Sequence, residues 1–219
     1  MRGLRTCWCS SWAVLCGGAA VVRGVESSVT GASPRCEFRS AVLHRRHGVP
    51  WFTRYVRSIE LVLDGPSDAV VRALWQTLVA AELPSLGHSG TNDPHVTLVA
   101  GEALPVPTDL DVAVPETVRV AGVLLFPAGP GRHVLGLGVV VDESLARFHH
   151  ALDAAAPGSL DSSRPGHWAP HVTLARRIRD VDLPAALRVL AADAPLPEVL
   201  AVGGLRHWDG DAKVVTRLQ

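Results

Sequence analysis

The stretch Asp93-Pro94-His95-Val96-Thr97-Leu98-Val99-Ala100 decides how the chain is read. Its centre returns in Ala169-Pro170-His171-Val172-Thr173-Leu174-Ala175-Arg176, with the two histidines 76 positions apart. In a β-strand, residues two apart point to the same face. His95 and Thr97 therefore share one side and Val96 and Leu98 the other, and His171, Thr173, Val172 and Leu174 divide in the same way. Each copy buries two aliphatic side chains and presents an imidazole beside a hydroxyl. One His-x-Thr in a strand is ordinarily a surface pair without chemistry, so the weight falls on whether the repetition runs beyond five residues.

It does. "SDAVVRALWQTLVAAEL" opens at Ser67 and "ESLARFHHALDAAAP" at Glu143, each 28 residues before its histidine. Further upstream, "SIELVLDG" from Ser58 and "HVLGLGVVVD" from His133 both read as strands that reach an Asp just ahead of a helix. Each half is strand, helix, loop and motif strand. Such a repeat implies a duplicated unit with pseudo-two-fold arrangement. Bringing the two motif strands together across that axis places His95, Thr97, His171 and Thr173 on one cleft.

The remaining elements follow from local signals. A strand is expected from Val56 to Asp64. A helix follows from Ser67 to Leu83, with Ser67 and Asp68 as start signals and a Val70, Leu74, Leu78 stripe. The prolines of "GEALPVPTDLDVAVP" mark a connector, and "ETVRVAGVLLFP" with "RHVLGLGVVVD" predicts a hairpin around "AGPG". The second helix places Leu145, Phe148, Leu152 and Ala155 on one face. "LPAALRVLAAD" is a short helix, and the C-terminal stretch gives two closing strands around "DGD". The fold class is α+β and bilobal: duplicated strand-helix-strand units whose antiparallel sheets line a central cleft, with the helices outside.

At 219 residues and 47% hydrophobic composition, the chain can build one sizeable core or two small fused ones. No run of 18 apolar residues occurs, so no membrane span is expected. Residues 1–55 differ from the rest, with all four cysteines (Cys7, Cys9, Cys16, Cys36), eight Arg and two acids, and no sustained period. They are read as a disordered or weakly ordered extension, from a start placed too far upstream as one alternative. A signal peptide over residues 1–20, with export, is the other, although Gly17 and Gly18 interrupt its apolar stretch. The cysteines lack Cys-x-x-Cys spacing, and a cysteine-free body fits a cytoplasmic protein without disulfides.

Residues 56–219 hold 12 Arg and one Lys against 19 acids, a net charge of −6. Proteins that track long nucleic acid present a broad basic surface. An acidic body points instead to a small nucleotide or an RNA terminus, held locally by a monomer. Arg164, Arg176, Arg177 and Arg179 are the basic cluster nearest a motif. They read either as a solvated strand end or, for Arg176, as a phosphate contact. Trp168, three residues before His171, is read as a base-stacking platform or as packing beneath the loop. His88, His149, His150, His167 and His207 share no offset between the halves and are treated as ordinary.

With both tetrads on the page, the chain over residues 56–219 resembles the two-histidine phosphoesterase superfamily, in particular its 2′-5′ RNA ligase and cyclic phosphodiesterase branch. That group carries one His-x-Thr/Ser motif in each lobe. The resemblance implies catalysis by His95, Thr97, His171 and Thr173, without metal or other cofactor, on a 2′,3′-cyclic phosphate or a related RNA end. Opening such a ring needs a base to take a proton from water and an acid to protonate the departing ribose oxygen. Imidazoles can do both near neutral pH, while threonine hydroxyls donate to the non-bridging oxygens. By analogy His171 is the base and His95 the acid, and the pseudo-symmetry leaves the reverse open. The same site run backwards with a 2′-hydroxyl would join RNA ends without ATP. An ATP-dependent ligase needs a lysine nucleophile, and the chain's one lysine is Lys213 in "AKVV". No Gly-x-x-x-x-Gly-Lys phosphate loop occurs.

Two other classes compete with this reading. A non-catalytic nucleotide- or RNA-end-binding module does not need a paired acid and base. A metallohydrolase would need more than a hydroxyl beside each histidine.

Overall fold

Alternation of aliphatic and polar side chains makes Arg57–Leu63 a strand, β1, and Asp64 ends it by capping the helix that follows. In the computed structural model, which describes residues 56–107, 111–192 and 196–218, the order continues as α1 (Gly65–Ala80), β2 (His95–Gly101), β3 (Thr117–Pro127), β4 (Arg132–Val139), α2 (Glu143–Ala155), β5 (His171–Arg179), α3 (Leu183–Ala192), β6 (Val199–Asp209) and β7 (Val214–Arg217). The expectations for residues 1–55, their cysteines included, lie outside the described residues. No helix among the described residues is long and apolar enough to cross a membrane.

Every strand pairing is antiparallel. β1 lies between β2 and β6, and β4 lies between β5 and β3. These are the two lobes. A β2–β5 bridge and a β3–β6 ladder join them into a ring of six strands, with β7 added outside β6. β3 and β6 both span the lobes, pairing with each other over Thr117–Arg119 and Val199–Ala201 before each turns into its own lobe. Both turn at a glycine with positive φ, Gly122 at 136° and Gly204 at 147°, where a side chain would be strained. Ladder irregularities accompany both bends.

The inner faces of both lobes share one core. Ile59, Leu61, Val96 and Leu98 from the first lobe and Leu135, Leu137, Val172 and Leu174 from the second are fully buried in a single cluster with Val71, Trp75 and Leu78 of α1 and Leu145, Phe148 and Leu152 of α2. Each such side chain contributes roughly 1.5–3 kcal/mol by burial. α1 packs on β1, β5 and β6, α2 on β2, and α3 on α1.

The bounds of the first helix and the buried faces of the first two helices differ from expectation. α1 starts before Ser67, because the Asp64 carboxylate accepts from the Ser67 N–H at 2.8 Å and Pro66 suits the first turn. The Ser67 hydroxyl instead accepts from the Ala201 N–H of β6, pinning helix to sheet. The helix ends at Ala80 because Glu82, at φ 58°, closes a Schellman turn in which the Leu83 N–H reaches the Leu78 carbonyl. The buried face runs through Val71, Trp75 and Leu78 and leaves Val70 exposed. Trp75 sets that phase, having the larger area and an N–H that needs a partner. In α2, Leu145, Phe148 and Leu152 are buried as expected, while Ala155 is only partly covered.

Candidate functional site

The two motif strands touch at one pair, Val96 opposite Val172. Those valines are equivalent in the repeat, so the pseudo-two-fold axis passes between them. Both are fully buried, which turns His95, Thr97, His171 and Thr173 to the opposite face, each partly exposed. Antiparallel register sets His95 beside Thr173 and Thr97 beside His171 across the bridge. Beyond that pair the strands separate, β2 following β1 and β5 following β4.

Two indoles hold the parted strands. Trp168 Nε1 donates to the Thr97 carbonyl at 2.9 Å, and Trp75 Nε1 donates to the Thr173 carbonyl at 3.0 Å. Each tryptophan serves the motif of the opposite lobe. The Trp168 ring also stacks on buried His149 with centroids 3.9 Å apart, and His149 Nε2 faces the carbonyls of Leu98 and Ser163. Burial lowers the His149 pKa and keeps that ring neutral.

The catalytic candidates are held alike. His95 Nδ1 lies 2.7 Å from the Asp93 carbonyl and His171 Nδ1 lies 2.9 Å from the Ala169 carbonyl, the same two-residue step back in each lobe. A carbonyl only accepts, so both Nδ1 atoms carry hydrogen and both Nε2 atoms are left to accept or receive a proton. An Arg206 guanidinium nitrogen lies 3.4 Å from His95 Nδ1. With both atoms donors, that approach is a contact of charge and not a hydrogen bond.

Around the histidines the lobes differ. Glu60 on β1 pairs with Thr97 of β2 and with Arg206 of β6. Its buried carboxylate accepts from Arg206 Nε at 2.8 Å and from the Ser58 hydroxyl at 2.6 Å, and lies 3.7 Å from His95 Nε2. Arg206 continues to Asp93 at 3.0 Å, and Asp93 to Arg72 at 2.7 Å. Burial raises the Asp93 carboxyl's pKa, but the hydrogen bonds and charges of Arg72 and Arg206 outweigh it and leave the carboxyl below its ordinary value. In the second lobe the register positions of Glu60 and Arg206 are taken by Gly136 and Leu124. Phe126 lies against His171, ring centroids 4.5 Å apart. A Cβ at Gly136 would stand 3.1 Å from both His171 Cδ2 and the Val172 carbonyl oxygen, so a side chain there would crowd the imidazole. Burial pushes the His171 pKa below the ordinary histidine value, and the charges of His95 and Arg176 push it the same way against the Ala169 hydrogen bond.

A cavity of about 660 Å3 opens over the first lobe, lined among others by His95, Thr97, Glu60, Arg176, Arg206 and Trp208. Arg176 is the one member of the arginine cluster on its wall. Arg179 is bound to Asp182 at 2.7 and 2.8 Å. Trp168 does not line the cavity; its N–H and one face serve the Thr97 strand and His149. Sequence reasoning passed over Glu60, Arg206 and Trp208. The signal for Arg206 and Trp208 is a second repeat, "VAGVLLF" from Val120 and "VGGLRHW" from Val202, at an offset of 82 and not 76. Among the described residues no three His, Cys, Asp or Glu side chains gather as a metal site.

The structure of Kluyveromyces marxianus Usb1 is similar at 14% identity, covering 75% of this chain and 98% of that one with a TM-score of 0.47. Usb1 of the same organism with uridine monophosphate matches over the same shares at 14% identity and a TM-score of 0.39. No curated protein sequence matches this chain. The family described as the 2′-5′ RNA ligase superfamily matches residues 66–213, both His-x-Thr motifs included. Since that match spans more than half of the sequence, the chain belongs to the 2′-5′ RNA ligase superfamily, a two-histidine phosphoesterase group.

Proposed function

We propose that the chain is a metal-independent phosphoesterase that opens a 2′,3′-cyclic phosphate on a small nucleotide or an RNA terminus, with His171 as general base and His95 as general acid. The observation that carries this reading is the matched tethering of both Nδ1 atoms to carbonyls, which leaves two Nε2 atoms on either side of the axis between the motif strands. Neutral His171 Nε2 takes a proton from water as the water oxygen attacks phosphorus. His95, protonated on Nε2 beside the Glu60 carboxylate, gives that proton to the departing ribose oxygen, and one P–O bond forms as the other breaks. The Thr97 and Thr173 hydroxyls donate to the non-bridging oxygens and Arg176 balances their charge. Burial against Phe126, which lowers the His171 pKa, supports that residue as the neutral base.

The test is hydrolysis of cytidine 2′,3′-cyclic phosphate by the full chain in excess EDTA. Wild type should turn over, and His95→Ala and His171→Ala should each lose about 10²- to 10⁴-fold in rate. Retained turnover in either variant overturns the paired acid and base. Tight binding without turnover in wild type replaces the enzyme by a nucleotide- or RNA-end-binding module.

A further inference from the structure

The cavity runs from His95 and Thr97 across the first-lobe sheet, and His171 and Thr173 are not among the residues that line it. Register places Trp208 opposite Ser58 on β1 and Val215 on β7, two residues along β6 from Arg206, so all share the face that carries His95 and Thr97. Trp208 corresponds to Phe126 of the second lobe, which pairs with Val134 as Trp208 pairs with Ser58. Phe126 is spent on His171, whereas the Trp208 ring stacks on no other ring among the described residues and lines the cavity with Val56 and Val215. Of the cations on the wall, Arg206 is bound to Glu60 and Asp93. Lys213 is exposed, has no ion-pair partner among the described residues, and holds φ 55°, a conformation ordinarily given to glycine. The volume lies within the range of small-molecule sites.

We propose that this end of the cavity is a nucleotide subsite in which the Trp208 indole stacks the nucleobase and Lys213 meets the 5′-phosphate of the same nucleotide. The inference rests on the phosphoesterase reading and adds to it: the substrate lies over the first lobe, its reacting phosphate at His95 and its base on β6. Trp208 thus takes the role that the sequence suggested for Trp168. Base–aromatic stacking tolerates every base, so the subsite selects for a nucleotide and not for one sequence.

Calorimetric titration of the full chain with inorganic phosphate, adenosine 2′-monophosphate and adenosine 2′,5′-bisphosphate tests it. Wild type should bind the monophosphate more tightly than phosphate and the bisphosphate more tightly again. Trp208→Ala should weaken the monophosphate about ten- to a hundredfold while leaving phosphate unchanged, and Trp208→Phe should restore most of the loss. Lys213→Gln should erase the gain from the 5′-phosphate. Equal monophosphate affinity in wild type and Trp208→Ala overturns the stacking role, and a 5′-phosphate that adds nothing overturns the role of Lys213. Phosphate bound as tightly as the monophosphate removes the subsite but leaves the phosphoesterase reading standing. Binding of none of the three, with no hydrolysis, removes both.

Discussion

The two lobes repeat one backbone and surround one reactive pair, yet His95 sits among charges and His171 against an aromatic ring. The register shows where they diverge: Glu60, Arg206 and Trp208 in the first lobe answer to Gly136, Leu124 and Phe126 in the second. A duplicated unit supplies two identical imidazoles, and identical imidazoles do not tell acid from base. Three pairs of neighbours, all outside the motifs, make the surroundings of the two imidazoles differ.

The largest effect that probes this contrast is on stability. Glu60→Ala leaves the half-buried Arg206 guanidinium with Asp93 alone, so it should cost about 1.5–3 kcal/mol in urea denaturation. Leu124→Ala, at the position answering to Arg206 and 37% exposed, should cost less than about 1 kcal/mol. Equal costs would mean that the charged wall does not set the lobes apart.

Next in size is the pH dependence. In the proposed mechanism the base must be neutral, and burial holds His171 below the ordinary histidine value of about 6.5. The acidic limb of kcat/KM for cyclic phosphate hydrolysis should therefore fall below 6.5, and Phe126→Ala, by admitting water to the ring, should move it upward. An unmoved limb would show that Phe126 does not exclude water there. The sign for stability follows from the same shift: the folded state resists protonation of His171, so its contribution is present above 6.5 and is lost as pH falls through the folded value.

The smallest effect concerns what the lobes share. Trp75→Phe and Trp168→Phe each remove one indole donor from a motif carbonyl and should cost about 1 kcal/mol apiece in denaturation. A large cost at one and none at the other would show that the two bonds are not equivalent.

The fold and the four motif residues were legible because they follow a period of two and a constant offset, both properties of a single sequence. The motif strands meet across an axis as that offset implies, and they do so at Val96 and Val172. The expected stripe of the first helix shares only Leu78 with the buried face, because periodicity counts apolar positions and does not weigh Trp75 against Val70. Glu60 and Arg206 were hidden for a different reason: their partners are 146 positions away in sequence, and strand register alone brings them together. Trp168 was noticed for its closeness to His171 in the chain, whereas Trp208, far from both motifs in sequence, faces the cavity.

The crossed indoles carry a consequence for how the protein comes apart. Neither lobe can melt without pulling a hydrogen-bond donor from the other's motif strand, and both draw on one continuous core. Two lobes joined by a hinge would unfold in two steps; these should unfold in one cooperative transition, so that a substitution that loosens either half lowers a single melting temperature.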